Sequence, residues 1–441
     1  MKVLKFGGTS VGSPQRITEV CNIITKDGQQ KLVVLSAMSG TTNTLIEVSN
    51  HYYEGDIEKA WDIVHNLKKT YQEHVENLYS TAAIKKEIKS FLEEKFNYLL
   101  SFSKSPFTLA QEKELIAQGE LISTFMVTEF LKESGIKALL LPALEFMRID
   151  ADAEPDMAYI KSNVKKFLNP KDDIQIFITQ GFICRNINGN IDNLRRGGSD
   201  YTASILGAAT NCEEIQIWTD IDGIHNNDPR VVDKTSPVRH LHFEEAAELA
   251  YFGAKILHPT CIQPAQAANI PVRLLNTIQP DAPGTVINNV SDHNKIKAVA
   301  AKDDITAIRI KSSRMLLAHG FLRKVFEIFE TWRTPIDMIC TSEVGVSMSI
   351  DNTDHLKEIT SELKKYGTVS VDSDMCIVCV VGDMDWENLG FESKALNALK
   401  TIPVRMISFG GSNYNISFLI RSSDKKKALR RLSDVLFNGK E

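Results

Sequence analysis

Lys2-Val3-Leu4-Lys5-Phe6-Gly7-Gly8-Thr9-Ser10-Val11 opens the chain, and its reading decides the fold class. A short apolar strand runs straight into a lysine and two adjacent glycines, with hydroxyls behind them. Paired glycines let backbone N–H groups approach an anion closely, and Lys5 adds a mobile positive charge beside them. This is a phosphate cradle on a different plan from the P-loop, whose G-x-x-x-x-G-K-[ST] string does not occur in the sequence. Alone, the segment is equally well an ordinary Gly-Gly turn after a first strand. Further polar clusters along the chain fit the phosphate reading.

Outward from that strand, short apolar runs alternate with helical stretches. The runs are Lys31–Ser36, Ile174–Gly181, Ile215–Asp220 and Val272–Leu275. The alternation predicts a largely parallel sheet covered on both faces, with ligand groups gathered past the carboxyl ends of its strands. Between about 56 and 104, Ile57, Trp61, Val64, Leu67, Tyr71, Val75 and Leu78 recur at three- and four-residue intervals. That spacing predicts an amphipathic helical insert serving as packing or lid support. Pro280, Pro283 and Gly284 then interrupt the pattern, placing a domain boundary near 290. Beyond it, residues of about 305–375 and 376–441 read as two copies of one small α/β unit, a pair suited to binding a small molecule between its members.

Bulk composition bounds the class. A chain of 441 residues exceeds one hydrophobic core. Hydrophobic content of 43% and charged content of 24% are those of a soluble globular protein. A net charge of -5 without a Lys/Arg block argues against a nucleic-acid partner. No apolar run reaches membrane-spanning length, and the first residues read as a strand rather than a signal peptide. Seven scattered cysteines fit reduced thiols in the cytoplasm. Cys376 and Cys379 form a C-x-x-C inside an apolar strand, where residues three apart face opposite sides and share a metal poorly. His240 and His242 lack a second ligand pair nearby, so no protein metal site is expected.

Four clusters carry chemistry. Ser36 to Asn43 places hydroxyls and a glycine after a strand, to hold an anion or to cap the next helix. Ala117-Gln118-Gly119-Glu120 stands at the start of an apolar helical pattern, where Glu120 suits either the helix dipole or a substrate ammonium. Leu194-Arg195-Arg196-Gly197-Gly198-Ser199-Asp200-Tyr201-Thr202 is more specific. It joins a guanidinium fork for a carboxylate, two glycines for close approach, and Asp200 just before a helix. Trp218-Thr219-Asp220-Ile221-Asp222-Gly223-Ile224-His225, with Asp228-Pro229-Arg230, makes a strand end and a turn-rich loop suited to a nucleotide. Phe252-Gly253-Ala254-Lys255 adds a second isolated lysine.

In order and in kind, KFGGTSV, Ser-Ala-x-x-Gly-x-Thr-Asn, Gly-Glu, RGGSDYTA, WTDxxGI with DPR, FGAKxLHP and the C-terminal repeat resemble the monofunctional aspartokinases of the amino-acid kinase superfamily. The resemblance spans Lys5 to Asn415. It implies a three-layer αβα sandwich with a mainly parallel sheet, followed by paired ACT regulatory modules. The domains would be 1–290 for catalysis and 291–441 for regulation. The implied reaction is phosphorylation of the L-aspartate side-chain carboxylate by ATP with Mg²⁺, the first step toward lysine, threonine and methionine. Lys5, Phe6, Gly7 and Gly8 then match the phosphate turn, with Lys5 on the transferring group and Asp200 organising the active-site lysines. Thr42, Glu120, Arg196 and Ser199 match the substrate contacts, Glu120 taking the ammonium and Arg196 the α-carboxylate. Thr219, Asp220, His225, Arg230 and Lys255 match nucleotide contacts. His225 stands where relatives often carry Tyr, and Cys184 where they often carry Gly.

For regulation, Met315, Gly320, Phe321, Leu322, Asp337, Thr341, Ser342 and Glu343 match the effector segment of lysine-sensitive members, with Ala318 and His319 departing from it. The resemblance implies L-lysine as inhibitor, Asp337 and Glu343 offering anions to its ammonium groups, unless those two are surface charges only. It also implies a cytoplasmic homodimer through the ACT repeats, with a tetramer as the alternative. Glutamate or acetylglutamate kinases lack the combination of RGGSDYTA and ACT repeats. A silent amino-acid sensor would not need Lys5, Glu120, Arg196 and Asp200, and the length weighs against a fused homoserine dehydrogenase.

Overall fold

The computed structural model describes residues 1–441 except 105, 169–172, 195–196, 254–257, 313–318 and 440–441. By their contacts they form two units, Met1–Ile224 with Ile256–Asn289, and His225–Lys255 with Val290–Glu441. A single boundary near 290 therefore misses an excursion. Residues 225–255 group with the C-terminal part because Val232 enters the core around Cys376 and Val378, and the Asn227 amide donates to the Leu429 carbonyl at 3.0 Å.

Up to Ile224 the order is β1 (Lys2–Phe6), α1 (Pro14–Thr25), β2 (Lys31–Leu35), α2 (Thr41–Glu54), α3 (Ile57–Leu78), α4 (Ala82–Ser101), α5 (Leu109–Glu133), β3 (Ala138–Leu141), α6 (Met157–Phe167), β4 (Ile176–Gln180), a hairpin of β5 (Ile183–Arg185) and β6 (Ile191–Asn193), α7 (Gly198–Thr210) and β7 (Ile215–Thr219). After β8 (His240–His242) and α8 (Phe243–Tyr251) of the second unit, α9 (Gln263–Ala267), β9 (Val272–Asn276) and β10 (Thr285–Asn288) complete the first. Its strands lie in the order β3-β4-β2-β1-β7-β9-β10, parallel but for β10. All five residues of β2 are buried, as a strand covered on both faces requires. Strand β1 is central, and the order reverses across it, so its carboxyl end is a natural ligand crevice.

Local chemistry sets the helix starts. Ser13 accepts the Arg16 N–H, with Pro14 in the first position of α1. Thr108 and Gln111 form a reciprocal capping box at the head of α5. Helices α3 and α4 are the amphipathic insert, and Val64, Tyr71, Val75, Leu92 and Phe96 bury its apolar stripe in the core beside Leu4 and Val33.

In the second unit the remaining elements are β11 (Ile296–Lys311), α10 (Phe321–Thr331), β12 (Met338–Ser342), β13 (Gly345–Ile350), α11 (Leu356–Leu363), β14 (Thr368–Gly382), α12 (Phe391–Ala398), β15 (Met406–Phe409), β16 (Asn415–Arg421) and α13 (Lys425–Phe437). One six-stranded antiparallel sheet runs β12-β13-β11-β14-β16-β15. Two cores line it. Ile308, Ile310, Val325, Met348 and Ile359 make one, while Val299, Cys376, Val380, Phe418 and Leu429 make the other. The long strands β11 and β14 each serve both, with register shifts between Lys302 and Ala307. The two repeats are thus threaded rather than consecutive, because Val299 precedes the first repeat in sequence yet packs in the second. Cys376 faces that second core and is fully buried, as is Cys379. All seven cysteines are free, and among the described residues no group of three His, Cys, Asp or Glu is placed to hold a metal.

Gly28 and Gly284 share a backbone φ of +66° but differ in surroundings. A Cβ on Gly28 meets nothing within 4 Å, whereas one on Gly284 would overlap the Leu274 carbonyl oxygen. Gly28→Ala should cost about 1 kcal/mol from the left-handed conformation alone. Gly284→Ala should cost about 2 kcal/mol more through the clash, read as a larger fall in the urea midpoint. Equal midpoints would contradict this packing.

Candidate functional site

At the carboxyl end of β1 the Lys5 ammonium lies 2.7 Å from Asp200 Oδ1, both side chains being largely shielded from solvent. Gly7 leaves room beside that ammonium, since a Cβ there would sit 3.4 Å from Nζ. The chain then tightens into a single 3₁₀ turn, Gly8–Ser10. A Cβ on Gly8 would press the Ala37 carbonyl at 2.8 Å, so only glycine lets this turn lie against the loop after β2. The Ser39 N–H closes the contact by donating to the Gly8 carbonyl at 3.1 Å.

The Gly-Gly-Ser-Asp segment, Gly197–Asp200, approaches the same place at the head of α7. Gly197, at φ +77°, caps the helix, so Asp200 stands in the first turn and is not the N-cap. Gly197 and Gly198 wedge between Cys261 with His258 on one side and Phe182 on the other, where side chains would collide. This seat leaves the Asp200 carboxylate to Lys5. Ser199 Oγ accepts from Ser36 Oγ at 2.9 Å, joining the segment to the end of β2. Arg195 and Arg196 lie outside the described residues.

Glu120 corrects a second expectation. It stands in the middle of α5, because the Thr108 capping box starts the helix at Leu109, so no helix dipole accounts for it. The residue is 3% exposed. Its Oε1 accepts the Ala37 N–H at 3.2 Å, and its Oε2 has no hydrogen-bond partner among the described residues. Burial pushes this carboxyl up to about 7. A buried carboxylate with an idle oxygen suits an incoming ammonium.

Tyr71 from the helical insert reaches this neighbourhood, sharing a 2.8 Å hydrogen bond with Thr41 Oγ1 at the head of α2. In sequence the insert reads as packing or lid support. In sequence Tyr71 is one more aromatic on an amphipathic stripe, and no local signal separates it from its neighbours. Thr42 follows Thr41 in the first turn of α2 and is half-buried. That turn is capped by Gly40 at φ +83° and by no hydroxyl, which removes capping as the role of the Ser36–Asn43 hydroxyls.

On the other flank of β1, Trp218 of β7 stacks on Phe6 with centroids 5.6 Å apart. Thr219 Oγ1 accepts the Ile221 N–H at 3.3 Å, and Asp220 is exposed at the strand end. His225 and Arg230 belong to the second unit. There His225 Nδ1 pairs with Thr235 Oγ1 at 2.9 Å, and the exposed Arg230 folds back on Asp228 at 2.9 Å. Lys255 lies outside the described residues.

Of the effector segment, Met315 and Ala318 are outside the described residues. Gly320, at φ +80°, caps α10, and Leu322 is exposed, but Phe321 is buried in the first core. Thr341, Ser342 and Glu343 are exposed at the outer end of the edge strand β12. Asp337 is no surface charge. It is buried and accepts from Lys302 Nζ at 2.7 Å and Tyr251 OH at 2.8 Å.

A parallel sheet with a glycine turn, a lysine and a clamped carboxylate at its switch point defines a phosphoryl-handling enzyme of the amino acid kinase type. Residues 1–276 match the family described as amino acid kinase and residues 378–436 an ACT domain, so the chain belongs to the amino acid kinase family. Within it, the relatives are aspartokinases. Lysine-sensitive aspartokinase 3 of Escherichia coli is 33% identical over 447 residues, 99% of each chain. Aspartokinase 1, chloroplastic, of Arabidopsis thaliana is 33% identical over 99% of this chain and 80% of its own. The crystal structure of E. coli aspartokinase III with aspartate and ADP superposes with a TM-score of 0.85, covering 99% of this chain and 100% of that one at 33% identity. No helix among the described residues is long and apolar enough to cross a membrane.

The geometry makes Glu120 titrate near neutrality. Difference infrared spectra of the ligand-free protein should show a carboxyl band that is lost with an inflection near pH 7 and is absent from Glu120→Gln. Because the ionised form holds a cation, binding of an ammonium should strengthen as pH rises through that point. A Glu120 carboxylate still ionised at pH 5 would contradict the site.

Proposed function

We propose that the chain transfers the terminal phosphoryl group of ATP to the side-chain carboxylate of L-aspartate, giving 4-phospho-L-aspartate and ADP at the head of lysine, threonine and methionine synthesis. The observation that carries this reading is the Lys5–Asp200 pair beside the Gly7-Gly8 turn, with Glu120 buried near the same loop. A carboxylate is already an anionic nucleophile, so no general base is needed. The barrier lies in bringing two anions together while charge builds on the transferred group.

Lys5, held by Asp200, would stand on the transferring phosphoryl, and the N–H groups of Gly7 and Gly8 would face the phosphates. Glu120 would take the substrate ammonium, Arg196 its α-carboxylate, and Thr42 and Ser199 would complete the pocket. Thr219 and Asp220 would hold the nucleotide at the end of β7, and the motif assigns His225, Arg230 and Lys255 to it as well. Mg²⁺ would neutralise the phosphates, carried by the nucleotide itself.

The regulatory reading is inhibition by L-lysine at the ACT modules, through Asp337 and the exposed Thr341, Ser342 and Glu343. Its support is the lysine-sensitive relative and a second E. coli aspartokinase III structure, with lysine and aspartate in the T-state, at TM-score 0.81 and 33% identity over 99% of both chains. Leu322 and Phe326, apolar and exposed on the outer face of α10, support a homodimer through these modules. Seven free cysteines are in keeping with the cytoplasm.

Glu120 and Arg196 would clamp both charged ends of the amino acid and so fix the reach of its side chain. One added methylene misplaces the nucleophile, and such misplacement costs about 100-fold. In an ATP-dependent hydroxamate assay, L-aspartate should therefore turn over about 100-fold faster than L-glutamate. Comparable rates would contradict the reading.

A further inference from the structure

The second unit holds an ionic cluster built around the shielded side chain of Asp337, the acid that the regulatory reading invokes. The Asp337 side chain is 1% exposed, and Lys302 Nζ lies 2.7 Å from its Oδ1 and 2.9 Å from Asp351 Oδ2. Tyr251 OH donates to the same Oδ1 at 2.8 Å, and its ring lies 4.3 Å beneath the Lys302 ammonium. Burial and the neighbouring Asp337 push the phenol up to about 12, so it remains a donor. Asp337 Oδ2 is sealed from solvent with no hydrogen-bond partner among the described residues. Among the described residues one ammonium thus serves two carboxylates, and Asp337 keeps an idle oxygen. A cationic ligand is what this arrangement lacks.

The cluster also ties the end of α8 to β11. Tyr251 ends α8, and Gly253 follows at φ +111°, so close to β11 that a Cβ would overlap the Ala301 carbonyl. Ala301 immediately precedes Lys302. Strand β11 therefore holds residues 251–253 twice, just before the chain continues to Lys255.

We infer that Lys302 is a tethered competitor of the cationic effector: the ammonium of L-lysine and that of Lys302 contend for Asp337. When the effector takes the carboxylate, Lys302 retires to Asp351 and Tyr251 loses its acceptor. Release of Tyr251 then frees the end of α8 from Asp337. The inference rests on Asp337 being an effector contact, as proposed above. A ligand reaches the sealed carboxylate only when the groups bound to it move, so those groups oppose the effector in proportion to their own hold.

The test is lysine titration of the full chain, by calorimetry and by inhibition of the kinase, in wild type, Tyr251→Phe, Lys302→Met and Asp337→Asn. Tyr251→Phe removes one hydrogen bond to a charged group and keeps the ring, so lysine should bind and inhibit at about tenfold lower concentration. Lys302→Met should move the same way, and Tyr251→Phe decides the matter if Lys302→Met does not fold. Asp337→Asn should abolish lysine binding. If it does, but Tyr251→Phe binds lysine as wild type does or more weakly, the competition is wrong and the effector assignment stands. If Asp337→Asn binds lysine normally, or wild type binds none, the assignment fails and the inference with it.

Discussion

The ion pair between Lys5 and Asp200 is the constraint on which the catalytic unit is built. Its members come from residues far apart in sequence, one at the end of the central strand and one in the first turn of α7. Such a shielded pair is not a source of stability, because desolvation offsets most of its Coulomb energy. Under the proposed function, what it supplies is preorganisation, a lysine fixed at the switch point of the sheet before any phosphate arrives. The glycines follow from that requirement. Gly7 leaves space at the ammonium, Gly8 lets the turn meet Ala37, and Gly197 with Gly198 seats the helix that delivers Asp200. Ala37 in turn orients Glu120 through its N–H, so the Gly7-Gly8 turn and the buried Glu120 carboxyl share one loop.

Much of this was legible in the sequence, for physical reasons. Apolar runs ending in small polar residues located β1, β2, β4, β7 and β9 within a residue or two, because a parallel sheet covered on both faces demands continuous hydrophobic strands. The segments Lys5–Gly8 and Gly197–Asp200 read as sites because adjacent glycines beside charge have few purely structural explanations. What escaped depends on tertiary contact. Glu120 was placed at a helix start, since the Thr108–Gln111 capping box lies ahead of the apolar stretch that drew attention. Tyr71 looked like packing because its partner Thr41 is thirty residues away in sequence.

The regulatory half shows a different limit. A repeat read along the sequence suggested two consecutive modules, yet β11 and β14 each cross both cores, and the excursion 225–255 packs with them. Sequence similarity reveals that a unit recurs but not how long strands are shared between copies. Asp337 likewise read as one of two equivalent acids offered to an effector, and only the fold shows its side chain shielded under Lys302 and Tyr251. Glu343, by contrast, is exposed at the edge of the sheet. Two acids alike in sequence thus differ in electrostatic standing, and the shielded one holds Tyr251 at the end of α8.

The central claim is that Lys5 stabilises the phosphoryl group in transfer. It is tested most directly by kcat of Lys5→Ala at saturating L-aspartate and Mg-ATP, measured beside its urea unfolding midpoint. Loss of a preorganised charge from a water-poor site should lower kcat by at least about 100-fold, with the protein still folded because Lys5 lies at a strand end. A folded Lys5→Ala protein turning over near the wild-type rate would contradict the account.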